Sequence, residues 1–170
     1  MTQLVVAYLA LGSNLGDPVE QLIKARTAIE AVPDVSIFRA SSLFQSPAWG
    51  SNDPQPDYVN AVLAIRTRLS AHALWLATSR IEAVHGRVRN GERNAPRTLD
   101  IDLLLYGDTA AHSAALTLPH PRMHERDFVL MPLVEITPYV VIPGRGTASD
   151  CLQRIQPTHI RKLSHNSLWN

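Results

Sequence analysis

Between residues 4 and 106 the apolar side chains alternate between strand-like and helical spacing in a fixed order, and that order limits the fold more than any single motif does. Leu4 to Leu11 is a continuous apolar run suited to a buried strand. Gly12-Ser-Asn-Leu-Gly-Asp-Pro18 breaks it. Asp17 can cap the helix that follows, Pro18 suits its first position, and Glu20 stands where a capping box needs it. Leu22, Ala25, Ile29 and Val32 then recur at helical spacing. Val35 to Phe44 reads as a strand, and Tyr58 to Thr67 as another, with Val59, Ala61, Leu63 and Ile65 on one face. Ser70 can cap a helix to about His85, carrying Leu74, Ala77, Ile81 and Val84. Thr98 to Tyr106 is again a strand.

Strand, helix, strand, strand, helix, strand is the ferredoxin-like βαββαβ pattern. The expected class is therefore α/β (α+β), with a mainly antiparallel sheet. Beyond Gly107 the sequence predicts a short strand near Leu116–Leu118, a helix near Arg126–Leu133 and a C-terminal piece. A chain of 170 residues fits one domain spanning 1–170, long enough to bury a real core. Residues 144–170 give no indication of a role. Two connections are long, Gln45–Asp57 and Gly86–Pro96, and both are expected over an active site.

Hydrophobic residues make up 45% of the chain, which excludes a disordered polymer. The opening MTQLVVAYLALG lacks a basic head and its apolar run is short. It reads as a buried strand rather than a signal peptide or membrane span, so the expected compartment is the cytoplasm. Cys151 is the only cysteine, which rules out an internal disulfide and a thiolate metal cluster. A net charge of +1 gives no support to general nucleic-acid binding. Of sixteen basic residues only Lys24 and Lys162 are lysines, so phosphate binding would rest on arginine forks.

Asp100-Ile-Asp102 is the sharpest chemical feature. Aspartate is depleted in strands, and this strand holds two on one face, roughly 6–7 Å apart at Cα. Leu99, Ile101 and Leu103 point into the opposite layer. Adjacent carboxylates repel unless a cation lies between them, and Mg²⁺ shared with phosphates fits; a solvated strand face fits the spacing as well. Arg87, Arg89, Arg93 and Arg97 run directly into this pair. A basic run alone suits a solvated loop or an RNA patch. Beside two carboxylates it is better explained by a metal-bound triphosphate. No phosphate-loop or protein-kinase motif occurs.

Tyr58 and Asn60 share a strand face and suit a flat nitrogen heterocycle, although a plain sheet-surface pair has the same spacing. Trp49 either covers the same site or anchors its loop. In Pro119-His-Pro-Arg-Met-His-Glu-Arg-Asp-Phe128 the spacing of His120 and His124 suggests zinc, but Pro121 interrupts the stretch and no acidic helix partner accompanies it. Phosphate contacts by His120 and Arg126 fit better. Phe128 is either a core residue or a ring that stacks on a ligand.

Together AYLALGSNLGD, SPAWG, PDYVNAV, GRVRNGERNAPRTLDIDLLLYGD and LPHPRMHERDFVLMPL, over about residues 5–143, resemble the 6-hydroxymethyl-7,8-dihydropterin pyrophosphokinase family. The resemblance implies a three-layer sandwich on a ferredoxin-like core. It implies transfer of pyrophosphate from ATP to the pterin hydroxymethyl oxygen, giving AMP and the pterin diphosphate in folate biosynthesis. Asp100 and Asp102 match the ligands of two Mg²⁺ ions. Arg87 and Arg97 match catalytic loop arginines on the phosphates, and His120 and Arg126 match further ATP contacts. Tyr58 and Phe128 match rings that sandwich the pterin, and Asn60 bonds its edge. Ser46, Pro47 and Trp49 lie where the family lines the pterin pocket, and Glu82 falls on a helix near it. Asn94-Ala95 stands where many members have Trp-Gly, and Asn90 where many carry a basic residue. The implied partners are the two small-molecule substrates, without nucleic acid or membrane, and the expected state is a monomer.

Two other classes compete: a nucleic-acid-binding module on a ferredoxin-like sheet, and a metal-dependent nucleotidyl- or glycosyltransferase using Asp-x-Asp. The first has no use for an acidic pair that repels a phosphate backbone. An assay with ATP, Mg²⁺ and the pterin alcohol separates all three.

Overall fold

A computed structural model describes residues 2–48, 52–86 and 98–170 of the chain. Its central sheet is built from β1 (Val5–Ser13), β2 (Val35–Ala40), β3 (Phe44–Ser46), β4 (Tyr58–Thr67), β5 (Asp100–Tyr106) and β10 (Arg161–Lys162). The order is β10-β3-β4-β1-β5, with β2 pairing further along β4, and every pairing is antiparallel. Helices α1 (Pro18–Glu30) and α2 (Ala71–Val84) cover one face. Helices α3 (Asp127–Ile136) and α4 (Ala148–Gln153) cover the other. The hairpins β6 (Ala111–His112) with β7 (Thr117–Leu118) and β8 (Val141–Ile142) with β9 (Gly146–Thr147) complete the described elements, with a 3₁₀ turn at Met123–Glu125. This is the expected three-layer sandwich with a ferredoxin-like core. None of the described helices is long and apolar enough to cross a membrane.

Two cores follow from the sheet's two buried faces. Ala7, Leu9 and Leu11 of β1 pack with Leu63 and Ile65 of β4 against Leu22, Ala25 and Ile29 of α1 and Leu74 of α2. Val62, Leu104 and Leu105 pack on the opposite side against Val129, Leu130 and Leu133 of α3, with Cys151 of α4. A bulge lets Leu105 pair with Tyr8 while Leu103 pairs with Leu9, so consecutive leucines 104 and 105 enter the same layer.

The helix starts match their sequence signals. Asp17 Oδ1 accepts the Glu20 N–H at 3.1 Å and Ser70 Oγ accepts the Ala73 N–H at 3.1 Å. Glu20, however, pairs with Lys24 at 2.9 Å.

Three expectations need correction. β1 runs through Gly12 and Ser13, because both remain paired with β4 and Gly12 also with β5; ladder pairing overrides the local turn signal. The single strand expected at 35–44 is two, β2 and β3. Ser41 between them is buried, its N–H donates to Val62 O and its Oγ accepts the Val62 N–H, each at 2.9 Å. A side chain there replaces one rung of the ladder. On α2, Val84 is 85% exposed, while Thr78 and Glu82 are buried. The inward stripe is therefore Leu74, Thr78 and Glu82, with Ile81 packed on the core beside them as expected, and its polar end has a partner described below.

Residues 144–170, unreadable in the sequence, close the fold. β10 extends the sheet beside β3. Trp169 is buried in the first core, where its Nε1–H donates to Ser41 O at 2.7 Å and the Arg26 guanidinium stands 5.2 Å from the ring centroid.

Candidate active site

The register of three strands builds the site. Gly12 of β1 pairs with Asn60 of β4 on one side and Asp100 of β5 on the other. Two residues back, Ala10 lies between Val62 and Asp102. Residues paired in one row share a face, so Asn60 and both carboxylates project the same way, with strands about 4.8 Å apart. The middle strand contributes only glycine and alanine to these two rows. A floor with no side chain larger than a methyl opens between acid and amide.

The resulting cavity, about 240 Å³, is lined by Ser46, Pro47, Tyr58, Asn60, Asp100, Asp102, His120, Arg126 and Phe128, over Ala10 and Gly12. All the described residues that the sequence marked for catalysis, metal, ATP or pterin therefore meet in one place. Arg87, Arg97 and Trp49 lie outside the described residues.

Each wall has its own support. β5 is an edge strand of the sheet, and between its two aspartates the Ile101 N–H donates to Glu82 Oε1 at 2.9 Å. The buried Glu82 carboxylate thus fixes the strand where the acidic pair sits, while Leu99, Ile101 and Leu103 are buried in the opposite layer. On the β4 side, Asn60 Nδ2–H donates to Ser46 Oγ at 2.8 Å. That bond turns the amide so that its Oδ1 faces the glycine: a Cβ built on Gly12 would stand 3.3 Å from it and 3.7 Å from the Tyr58 ring. Asn14, also buried, holds the loop before Tyr58, its Nδ2–H groups donating to Gln55 Oε1 and Pro56 O at 3.1 Å.

The third wall comes from the segment leading into α3. His120 follows a cis Leu118–Pro119 peptide, and its N–H donates to Leu104 O at 2.9 Å. Burial, and then the nearby Arg126 charge, lower the His120 pKa to about 4 against the opposing pull of Asp100. Its ring is therefore neutral at pH 7. The 3.7 Å separation from Asp102 Oδ2 is then neither an ion pair nor a hydrogen bond. His120 Nδ1 accepts the Arg122 N–H at 3.2 Å, which leaves Nε2 as the protonated, donating nitrogen. His124 turns elsewhere, 3.5 Å from Glu125. Arg126 and Phe128 flank the first residue of α3, with the guanidinium 5.6 Å from the ring centroid.

Among the described residues no group of three or more His, Cys, Asp or Glu side chains comes together as a complete metal shell. The donor set is two hard carboxylates on one strand. That suits an ion whose other ligands are phosphate oxygens and water, and does not suit zinc.

The sequence reading missed Gly12 and Asp127. The signal for Gly12 is visible in retrospect: on the strand face that begins with Val6 and Tyr8, positions 10 and 12 are both small. Asp127, buried at the start of α3, carries no such pattern.

The profile of the 7,8-dihydro-6-hydroxymethylpterin-pyrophosphokinase (HPPK) family matches residues 8–138. The chain is 42% identical over 161 residues to the 2-amino-4-hydroxy-6-hydroxymethyldihydropteridine pyrophosphokinase of Haemophilus influenzae, covering 95% of this chain and 99% of that one. It is 40% identical to the protein of the same name from Methylorubrum extorquens, covering 92% and 98%. Its fold superimposes on the crystal structure of Plasmodium falciparum HPPK-DHPS wild type with pteroate at a TM-score of 0.71 and 11% identity, covering 91% of this chain but only 43% of that longer one. On the matched length and the identity to these full-length relatives, the chain belongs to the 7,8-dihydro-6-hydroxymethylpterin-pyrophosphokinase family.

Proposed function

We propose that the chain transfers the β,γ-pyrophosphoryl unit of ATP to the hydroxymethyl oxygen of 6-hydroxymethyl-7,8-dihydropterin, releasing AMP and the pterin diphosphate for folate biosynthesis. It would do so in the cytoplasm as a monomer acting on small molecules alone. The observation that carries this reading is the shared floor of the cavity: an acidic pair and an aromatic–amide pair face one space, separated by Gly12.

Asp100 and Asp102 would hold two Mg²⁺ ions. When bound, these supply charge neutralisation of the polyphosphate and stabilise charge that develops during transfer. Arg126 can grip a phosphate with two parallel donors. Neutral His120 adds one donor, from Nε2, without adding charge. Arg87 and Arg97 are proposed at the phosphates on the strength of the sequence alone.

Tyr58 and Phe128 would take the pterin ring between their faces, with Ser46 and Pro47 at its edge and Trp49 added from the loop. Asn60 spends an N–H on Ser46, so its Oδ1 is the group turned to accept an N–H from the heterocycle.

The test is the identity of the products. ATP labelled at the γ-phosphate should pass its label to the pterin with AMP in equal amount, and chelation of the metal should stop the reaction. ADP with a pterin monophosphate would sink the assignment.

A further inference from the structure

We infer that residues Thr158–Leu163 form a strap that sets the width of the ring pocket, with Asp127 and Thr158 as its positioning residues. This rests on the reading of Phe128 and Tyr58 as the two faces of that pocket. The strap lies beyond residue 138, the end of the family match.

Asp127 is 4% exposed and sits between Arg126 and Phe128, both of which line the cavity. Its Oδ2 accepts two hydrogen bonds from one residue, the Thr158 N–H and the Thr158 hydroxyl, the latter at 3.0 Å. Three residues later the same segment is bonded to the opposite wall. Arg161 pairs with Gln45 and Lys162 with Phe44 in β3, Arg161 Nη2–H donates to Gln45 Oε1 at 2.7 Å, and the Leu163 N–H donates to Leu43 O at 2.8 Å. β3 ends at Ser46, in the cavity.

Chain geometry turns these contacts into a constraint. Three residues span at most about 10–11 Å. His159 has a φ of +51°, a tight left-handed turn that shortens the reach further. The N-terminus of α3 is therefore tethered within that reach of β3 while Thr158 stays bonded to Asp127. A flat ring between Tyr58 and Phe128 needs two van der Waals contacts of ~3.5–4.0 Å, so a shift of one ångström in α3 forfeits much of the contact.

The experiment compares Thr158→Val, which removes the hydroxyl donor at nearly constant volume, with Thr158→Ser, which restores it. Trp169→Phe serves as a control that lowers stability in the same C-terminal segment while leaving the Asp127–Thr158 bonds in place. Thr158→Val should raise the KM for the pterin alcohol about 3–10-fold, the equivalent of one hydrogen bond, while kcat changes less than about twofold. Thr158→Ser should return the KM to the wild-type value. Trp169→Phe should lower Tm without moving that KM. Hydrogen exchange without substrate gives a second reading: Thr158→Val should speed exchange of the Val129 and Leu130 amides, which bond Arg126 O. Unchanged exchange removes the strap. Faster exchange with an unchanged KM, or a KM that tracks Tm in all three variants, removes its role in positioning. A wild-type protein that forms no AMP would overturn the functional reading and the positioning role with it, whereas the strap as a structural tether would still be judged by exchange.

Discussion

Glu82 of α2 accepts the Ile101 N–H at 2.9 Å, at the one point of β5 that lies between Asp100 and Asp102. An edge strand has no neighbour on its outer side, so a backbone donor there needs water or a side chain. A buried carboxylate fills that need and places two further carboxylates on the opposite face. Removal by Glu82→Ala should destabilise the fold by about 1–3 kcal/mol, because a buried N–H loses its acceptor. Glu82→Gln keeps a carbonyl oxygen and should cost less. Urea midpoints of the two variants decide it, and equal midpoints would show that the bond contributes nothing.

The acidic pair should behave in the opposite way. Asp100→Asn or Asp102→Asn removes a negative charge that repels its neighbour and takes part in no core packing. The fold should stay intact, while turnover should fall by at least about 100-fold. Melting curves and initial rates at ordinary Mg²⁺ check this; near-normal rates would take these residues out of the metal site.

Tyr58→Ala and Phe128→Ala should each weaken pterin binding by roughly 1–3 kcal/mol through lost stacking and apolar contact. ATP binding should change much less. Calorimetric titration with each ligand separates the two, and an equal loss for both would point to general damage.

Gly12→Ala tests the bare floor. The added Cβ would meet Asn60 Oδ1 at 3.3 Å, a distance at which the amide must give way. Pterin affinity should fall about tenfold or more if Asn60 is displaced from its bond to Ser46, the worth of one or two hydrogen bonds. Asn60→Ala combined with Gly12→Ala should recover part of any loss in stability. Unaltered pterin affinity in the single variant would show that Asn60 does not set the ring's edge.

One acid-sensitive link joins α3 to the C-terminal segment. Lys162 stands 2.9 Å from Glu135, whose other oxygen accepts the Ser42 N–H. Burial pushes the Glu135 pKa up, but these two partners outweigh it and hold it below its ordinary value of 4.5. A depressed carboxylate pKa means that the folded state favours the charged form. Its contribution is complete above 4.5 and is lost as pH falls through the folded value. Glu135→Gln should therefore cost no more than about 1 kcal/mol at neutral pH, and the difference from wild type should shrink as pH falls below 4.5 and through the lowered folded value. A difference independent of pH would assign the effect to packing.

Patterns of local origin were open to reading in the sequence. The helix caps at Asp17 and Ser70, the alternation along β4 and the shared face of Asp100 and Asp102 depend only on residues within one element, where dihedral preference and periodicity act directly. The family motifs carried the same residues into one site, and all of those described line one cavity. What the sequence left undecided depends on partners far along the chain. Gly12 stays in β1 because β4 and β5 both pair with it. The inner face of α2 ends in Glu82 rather than Val84 because an N–H on β5 waits there. Trp169 is core because Ser41, 128 residues away, offers a carbonyl and the first core leaves room for an indole. Asp127 matters through Thr158, 31 residues on. In each case a buried backbone or side-chain polar group had to find a partner, and only the assembled structure settled which one came within reach.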